Sequence, residues 1–385
     1  MLETKGFIVA AASFLLMAAG LHSKRRNLMA VTIGSLHKKT FCLAYLFIIA
    51  SFWLFGVCVM DSYDISNYRW AYDARVAHGK EPIFDIVQFM FRDASWSFDS
   101  FKAIWVTVVA ILLYRGIKKY SQAPGEVAGL ALITVLSGFV TQMRSALVGA
   151  IFLNAFQFIL SVNKRDRILY LAIVLLSAQM HIVGYAFLIF LLVSPNTNRS
   201  FRKLYYIIIF LLTAIALFET GVASSFIYSV MNMVPFGGNS VVRVLAYFQG
   251  EGSHFRYAVF LVLKHLMLFF LADRACEIQM NNQNELDSDI IKYRMIREAN
   301  ILMLTFLPIT IISASFERLF NCFALIQYSM VFNTGKSKFT LLNKLSWGIS
   351  MQTVMIVGVL FITFIEWYFS PGDMLRILNS LEWGF

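Results

Sequence analysis

Carboxylates, guanidinium groups and histidines recur at a few places in an otherwise apolar chain. Asp64, Asn67 and Tyr68 stand in the order Asp-x-x-Asn-Tyr, with Asp61 just before them and Glu81 downstream. A half-buried carboxylate in such a group can act as general base toward a sugar hydroxyl while Asn and Tyr hold neighbouring hydroxyls. The same residues also read as a hydrophilic loop with an Asx-type turn. Asp61 and Asp64 suit a hard cation, but two acids in one loop are a thin basis for one, and no metal is expected. Arg144, in Thr-Gln-Met-Arg-Ser-Ala-Leu, lies where two apolar runs meet. An arginine there faces a cavity or a partner, and its planar fork suits a phosphate; the alternative is a side chain snorkelling to the interface. His181 sits in the middle of an apolar stretch with Gln179 nearby and reads equally as a packing residue or as the wall of a polar cavity. Glu317 and Arg318 are adjacent, so on a helix they point in different directions and need not pair. Arg243, His254 and Arg256 add cationic character to a later loop, as residues of a site or as headgroup contacts. Lys264 and His265 fall inside an apolar run, where snorkelling or a lipid contact is the expected role.

The elements that must position these groups are membrane helices. The chain is 59% hydrophobic and only 14% charged, against about 25% charge in a soluble domain. Runs long enough to be read as spans cover 6–22, 40–59, 101–117, 126–142, 145–162, 168–180, 182–194, 204–220, 257–273, 298–315, 319–333 and 346–368. The expectation is one all-α polytopic bundle over residues 1–385 with about twelve membrane segments. No ten-residue alternation suggests a β-barrel. The net charge of +11 does not point to nucleic acid, because Lys and Arg form short clusters at the ends of apolar runs. The run Gly6 to His22 leads into Ser23-Lys24-Arg25-Arg26 and reads as a retained span, not a cleaved signal. Cys42, Cys58, Cys276 and Cys322 have no metal-type spacing and read as small apolar packers.

With the basic clusters placed in the cytoplasm, the polar insert 60–100, the loop 221–256 and the Phe316–Arg318 corner face outward, and 274–297 is a cytoplasmic loop. Residues 168–194 then enter and return as two short helices broken near His181. Residues 371–385 read as an interfacial helix, and no internal repeat supports a paired-repeat transporter.

The order of these motifs resembles the Wzy-type bacterial polysaccharide polymerases, in particular their EpsG-like branch. The resemblance rests on Asp64-Ile-Ser-Asn67-Tyr68, then Glu81-Pro-Ile-Phe84, then Arg144-Ser-Ala-Leu-Val, the basic corner Lys164 to Arg167 before His181, and Glu317-Arg318. Ser145 replaces the glutamine usual after that arginine. The match extends over roughly residues 40–335. It implies an inner-membrane glycosyltransferase of GT-C-like architecture with its active site facing the periplasm or cell exterior. The growing glycan would move from undecaprenyl pyrophosphate onto a lipid-linked oligosaccharide repeat unit, without cofactor or metal because the donor is already activated. Membrane lipids and a chain-length regulator protein are the further partners it implies. Arg144 and Arg318 are placed to hold the pyrophosphate, with Glu317, Asn67, Tyr68, Glu81, Arg243 and Arg256 as further substrate-binding positions. Asp64 and His181 are the expected catalytic pair, and His181 is the preferred base because an imidazole titrates at about 6.5. A flippase or secondary transporter explains the spans but not the acidic, aromatic insert. A membrane acyltransferase would also use a central histidine but lacks an evident acidic partner for it.

Overall fold

A computed structural model describes residues 30–32, 40–59, 62–79, 81–194, 210, 253–281, 287–307, 317–334, 338–340 and 346–369. The expected spans at 6–22 and, apart from Phe210, 204–220, together with Asp61, Arg243 and the interfacial helix at 371–385, lie outside these residues. So does the 221–256 loop, apart from the start of the helix at Ser253.

The described chain is helical except for two short antiparallel ladders, β1 (Ala30–Thr32) with β2 (Thr40–Cys42) and β3 (Lys338–Thr340) with β4 (Ser346–Ser350). Two expected spans therefore open on strands, and their helices begin later, as α1 (Leu43–Cys58) and α12 (Met351–Phe369). The polar insert is itself helical, folding into α2 (Tyr63–Ala74) and α3 (Pro82–Asp93). Ser62 caps α2 by accepting from the Ile65 amide at 3.2 Å, and Arg75 stops it in a left-handed conformation at φ 55°. Pro82 opens α3, where a missing N–H costs nothing. α4 (Phe98–Tyr120) is capped by Ser97 and carries Lys118 and Lys119 in its last turn, where cations suit the helix dipole.

The run expected as one span over 126–142 is broken at Val135 into α5 (Pro124–Thr134) and α6 (Leu136–Thr141). α7 (Met143–Ile159) and α8 (Lys164–Ala178) follow, then a 3-10 helix, Ile182–Leu192, unusually long for its type. Beyond it lie α9 (Ser253–Met280), α10 (Asp287–Met303), a short 3-10 turn at Leu304–Phe306, and α11 (Glu317–Asn333). Both α9 and α10 run into the 274–297 stretch expected as a loop, tied together by Arg297 on Asp273 at 2.5 and 3.0 Å. Among the described residues, Phe98–Tyr120 has both the length and the apolarity to cross a bilayer alone, and several shorter apolar helices accompany it. The count of twelve spans is therefore not reproduced as twelve full-length helices in what is described.

The centre of the bundle is the contact of α7 with α4 and α11. α11 is buried along nearly its whole length. The approach is close enough that a Cβ on Gly149 would fall on the Cys322 sulfur. Aromatic rings fix the 3-10 helix onto this centre: Phe187 stacks on Phe152 at 4.1 Å, and Phe190 stacks on Phe323 at 5.5 Å. Buried polar groups lock register between helices, with Gln327 donating to Asn300 at 2.8 Å and Asn333 donating to the Tyr120 carbonyl at 2.7 Å. Cys58, Cys276 and Cys322 are free and buried, as packing residues should be.

Candidate active site

Four separate pieces of chain meet at one end of α7. Helix periodicity places Asp64 and Tyr68, four residues apart, on one face of α2. The next turn of chain is folded back by Asp85 in the first turn of α3. Its carboxylate accepts from the amides of His78 at 2.9 Å and Gly79 at 3.1 Å, and lies 3.0 Å from His78 Nδ1. That clasp presents Glu81, whose side chain is only 6% exposed. The break between α8 and the 3-10 helix docks on the same point: the Ile83 amide donates to the Gln179 carbonyl at 3.2 Å. Gly184 makes the break tight, because a Cβ there would strike the Ala178 backbone at 2.6 Å.

Glu81 is the hub. Arg144, in the first turn of α7, donates Nη1 to Glu81 Oε2. On its other oxygen, Oε1, Glu81 accepts the Ile182 amide at 3.4 Å and lies 3.7 Å from His181 Nε2. Arg144 Nε donates to the Tyr68 hydroxyl at 3.3 Å. Its guanidinium also lies over two rings, 4.9 Å from the centroid of Tyr68 and 5.5 Å from that of Phe84. Burial pushes the Glu81 carboxyl above its ordinary value, and the charge of Arg144 restrains the rise. Burial likewise raises the Tyr68 phenol against the pull of Arg144, and lowers His78.

His181 caps the 3-10 helix: its Nδ1 accepts from the Val183 amide at 3.3 Å. A neutral ring in that arrangement carries its proton on Nε2, the nitrogen facing Glu81. Both ring nitrogens therefore face protein groups, Nδ1 the Val183 amide and Nε2 the Glu81 carboxylate.

Arg318 closes the other side. Its Nη2 is 3.5 Å from Asp64 Oδ2, while its Nε is buried with no hydrogen-bond partner among the described residues. It shares a small cavity with Gln142, Ser145 and Asn321, and the Asn321 carbonyl oxygen is also buried without a partner. Ser145, where a glutamine was expected, thus lines this cavity. Glu317 turns away from Arg318 and pairs with Lys264 at 2.8 Å. Lys264 and His265, expected to reach toward lipid, are instead buried, the imidazole stacked on Phe320 at 4.2 Å. An apolar sequence window hides this, because the acid that holds Lys264 lies 53 residues away.

The structure thus gathers Asp64, Tyr68, Glu81, Arg144, His181 and Arg318 into one cluster. Asn67 is exposed, with no contact to the cluster among those described, and Glu317 stands one pair removed. Arg256 belongs to α9, but its side chain lies outside what is described, as Arg243 does altogether. Phe84 was quoted only as part of a motif; it is the buried floor beneath Arg144.

The chain matches the EpsG family over residues 38–375. It belongs to that family. EpsG proteins are Wzy-like polysaccharide polymerases, so the chain is a membrane protein of polysaccharide biosynthesis with a polymerase-type function. No curated protein and no solved structure matches it. In this EpsG-family chain every motif behind the resemblance lies within the matched region, from Asp64 to Arg318.

Proposed function

We propose that the cluster transfers a growing glycan from undecaprenyl pyrophosphate onto a non-reducing-end hydroxyl of a lipid-linked repeat unit, at the outer face of the inner membrane. The observation that carries this reading is the pair of arginines in the first turns of two packed helices, α7 and α11, each tied to a carboxylate of the polar insert. Helix N-termini favour anions, and guanidinium forks hold phosphate oxygens. Arg144 is fixed by Glu81, Tyr68 and Phe84. Arg318, held by one long contact, is the arm that adjusts to the pyrophosphate.

The acceptor hydroxyl attacks the anomeric carbon of the growing chain. A new glycosidic bond forms, the bond from that carbon to the pyrophosphate oxygen breaks, and the proton passes to a base. We assign the base to Asp64, the cluster carboxylate with the most open side chain, 27% exposed. Fixed cations stabilise the charge on the departing pyrophosphate without reorganising. His181 and Glu81 orient Arg144 and take no proton in this scheme. Metal-free transfer is consistent with a leaving group that is already activated.

The test is reconstitution of the full chain in proteoliposomes with purified lipid-linked repeat units. A ladder of lengthening products, lost in Asp64→Asn and retained in His181→Gln at reduced rate, supports the reading. Translocation of units without bond formation, or transfer of an acyl group, would replace it. The retained and lost variants exchanged would return the base to His181.

A further inference from the structure

A second constellation lies on the neighbouring face of α2. Whereas Asp64 and Tyr68 face the arginine cluster, Arg69, Tyr72 and Asp73 follow the next helical stripe and line an open cleft of about 440 Å³. Its opposite wall is the turn between α3 and α4, with Arg92, Trp96 and Asp99.

This wall is built to hold an aromatic ring in place. Ser95 adopts φ 62°, a left-handed conformation unusual for a residue other than glycine. The turn is pinned by the Trp96 amide on the Phe91 carbonyl at 3.1 Å and by the Tyr72 hydroxyl on the Trp96 carbonyl at 2.8 Å. The Trp96 indole meets Phe91 edge-on at 5.3 Å, yet the residue stays 47% exposed. Arg69 and Asp99 are bound two-fold at 2.7 and 3.1 Å, which fixes both side chains at the rim. Arg92 lines the cleft with an Nη1 that has no hydrogen-bond partner among the described residues, and Asp73 is exposed.

We propose that this cleft is a glycan subsite that holds one sugar ring of the polysaccharide away from the reacting end. A pyranose ring has an apolar C–H face and a rim of hydroxyls. The immobilised indole offers a flat apolar surface to the face, while Arg92 donates to hydroxyl oxygens and Asp73 and Asp99 accept hydroxyl protons. The inference rests on the polymerase reading in that the ligand is a glycan. Its place on the same helix as Asp64 makes α2 the shared wall between the reacting end and the rest of the chain. An exposed tryptophan in a membrane protein can also mark the lipid interface. The charged lining of this cleft favours a polar ligand instead.

The probe is the repeat-unit oligosaccharide released by mild acid from its lipid carrier, added to the full chain in nanodiscs. Saturation-transfer NMR should show transfer to sugar ring protons in the wild type. Trp96→Ala should lower it at least threefold, and Asp73→Asn, a change at an exposed residue that leaves the turn intact, should lower it as well. Trp70→Ala, 63% exposed on α2 outside the cleft, should leave it unchanged. Polymer made by the Trp96→Ala protein should be shorter. No transfer in the wild type, equal transfer in the Trp96 and Asp73 variants, or quenching of Trp96 by brominated lipid would each overturn the subsite. The two readings separate cleanly. Arg144→Lys should abolish polymer while keeping Trp96-dependent transfer. A wild type that makes no polymer but shows that transfer would sink the polymerase reading and keep the subsite.

Discussion

Arg144 and Arg318 occupy matching places, each in the first turn of a central helix, but their surroundings differ. Arg144 is clamped by a buried carboxylate, a phenol and two rings. Among the described residues, Arg318 has one 3.5 Å contact, with Asp64, and an Nε that is buried with no partner. A clamped charge is part of the fold; a loosely held one is free to respond to a ligand. One side of the site is therefore a frame and the other an arm, and substitutions at the two arginines should separate stability from activity.

The largest effect is expected at the frame. Arg144→Ala leaves Glu81 buried without its countercharge, and breaking such a pair costs about 3–5 kcal/mol. The protein should lose both thermal stability in detergent and all polymer synthesis. Arg318→Ala removes a cation whose side chain is 23% exposed and whose contact with Asp64 is long, so unfolding should shift by far less, on the order of 1 kcal/mol. Its turnover should nonetheless fall on the order of 10²–10³-fold, as when one donor to a developing anion is removed. Thermal unfolding read beside product ladders tests the contrast. Equal destabilisation by both variants would dissolve the distinction between frame and arm.

Gly184→Ala probes the frame from the opposite side. Its Cβ would meet backbone, not the tip of a flexible side chain, so the turn at His181 must shift. The Ile182 amide and the imidazole would move off Glu81, loosening Arg144 without touching it. The expected cost is about 1–3 kcal/mol of stability with a partial loss of activity. A fully active Gly184→Ala protein would show that Glu81 holds Arg144 without help from the helix break.

Much of this frame was legible in the chain. Asp64, Glu81, Arg144, His181 and Arg318 stand out because an apolar sequence keeps charges only where they are partnered, and the structure brings all five together. The helix break near His181 was legible from the length of the apolar run and the central histidine. What could not be read was pairing. Glu81 and Arg144 are 63 residues apart, and neither spacing nor composition marks one as the partner of the other. Lys264 misled for the same reason, since Glu317 lies on a different helix. The polar insert looked like a loop because mean hydropathy is blind to short capped helices; the caps themselves, Ser62 and Pro82, were there to be read. The His181 ring is engaged by a backbone amide two residues ahead, a contact that a sequence pattern does not display.

The smallest and most discriminating effect is on pH dependence. Burial holds the Glu81 carboxyl above its ordinary 4.5, so as pH falls the folded protein takes up this proton before the unfolded chain does. The raised value therefore contributes stability that is fully present below 4.5 and is lost as pH rises through the folded value. Activity should run the other way, because a proton on Glu81 releases the clamp on Arg144. The acid limb of the rate profile should thus lie above 4.5, and Glu81→Gln should flatten it while lowering the neutral-pH rate. An acid limb that survives unchanged in Glu81→Gln would take the titration away from the frame. Arg144 would then be held by shape alone, through Tyr68 and Phe84.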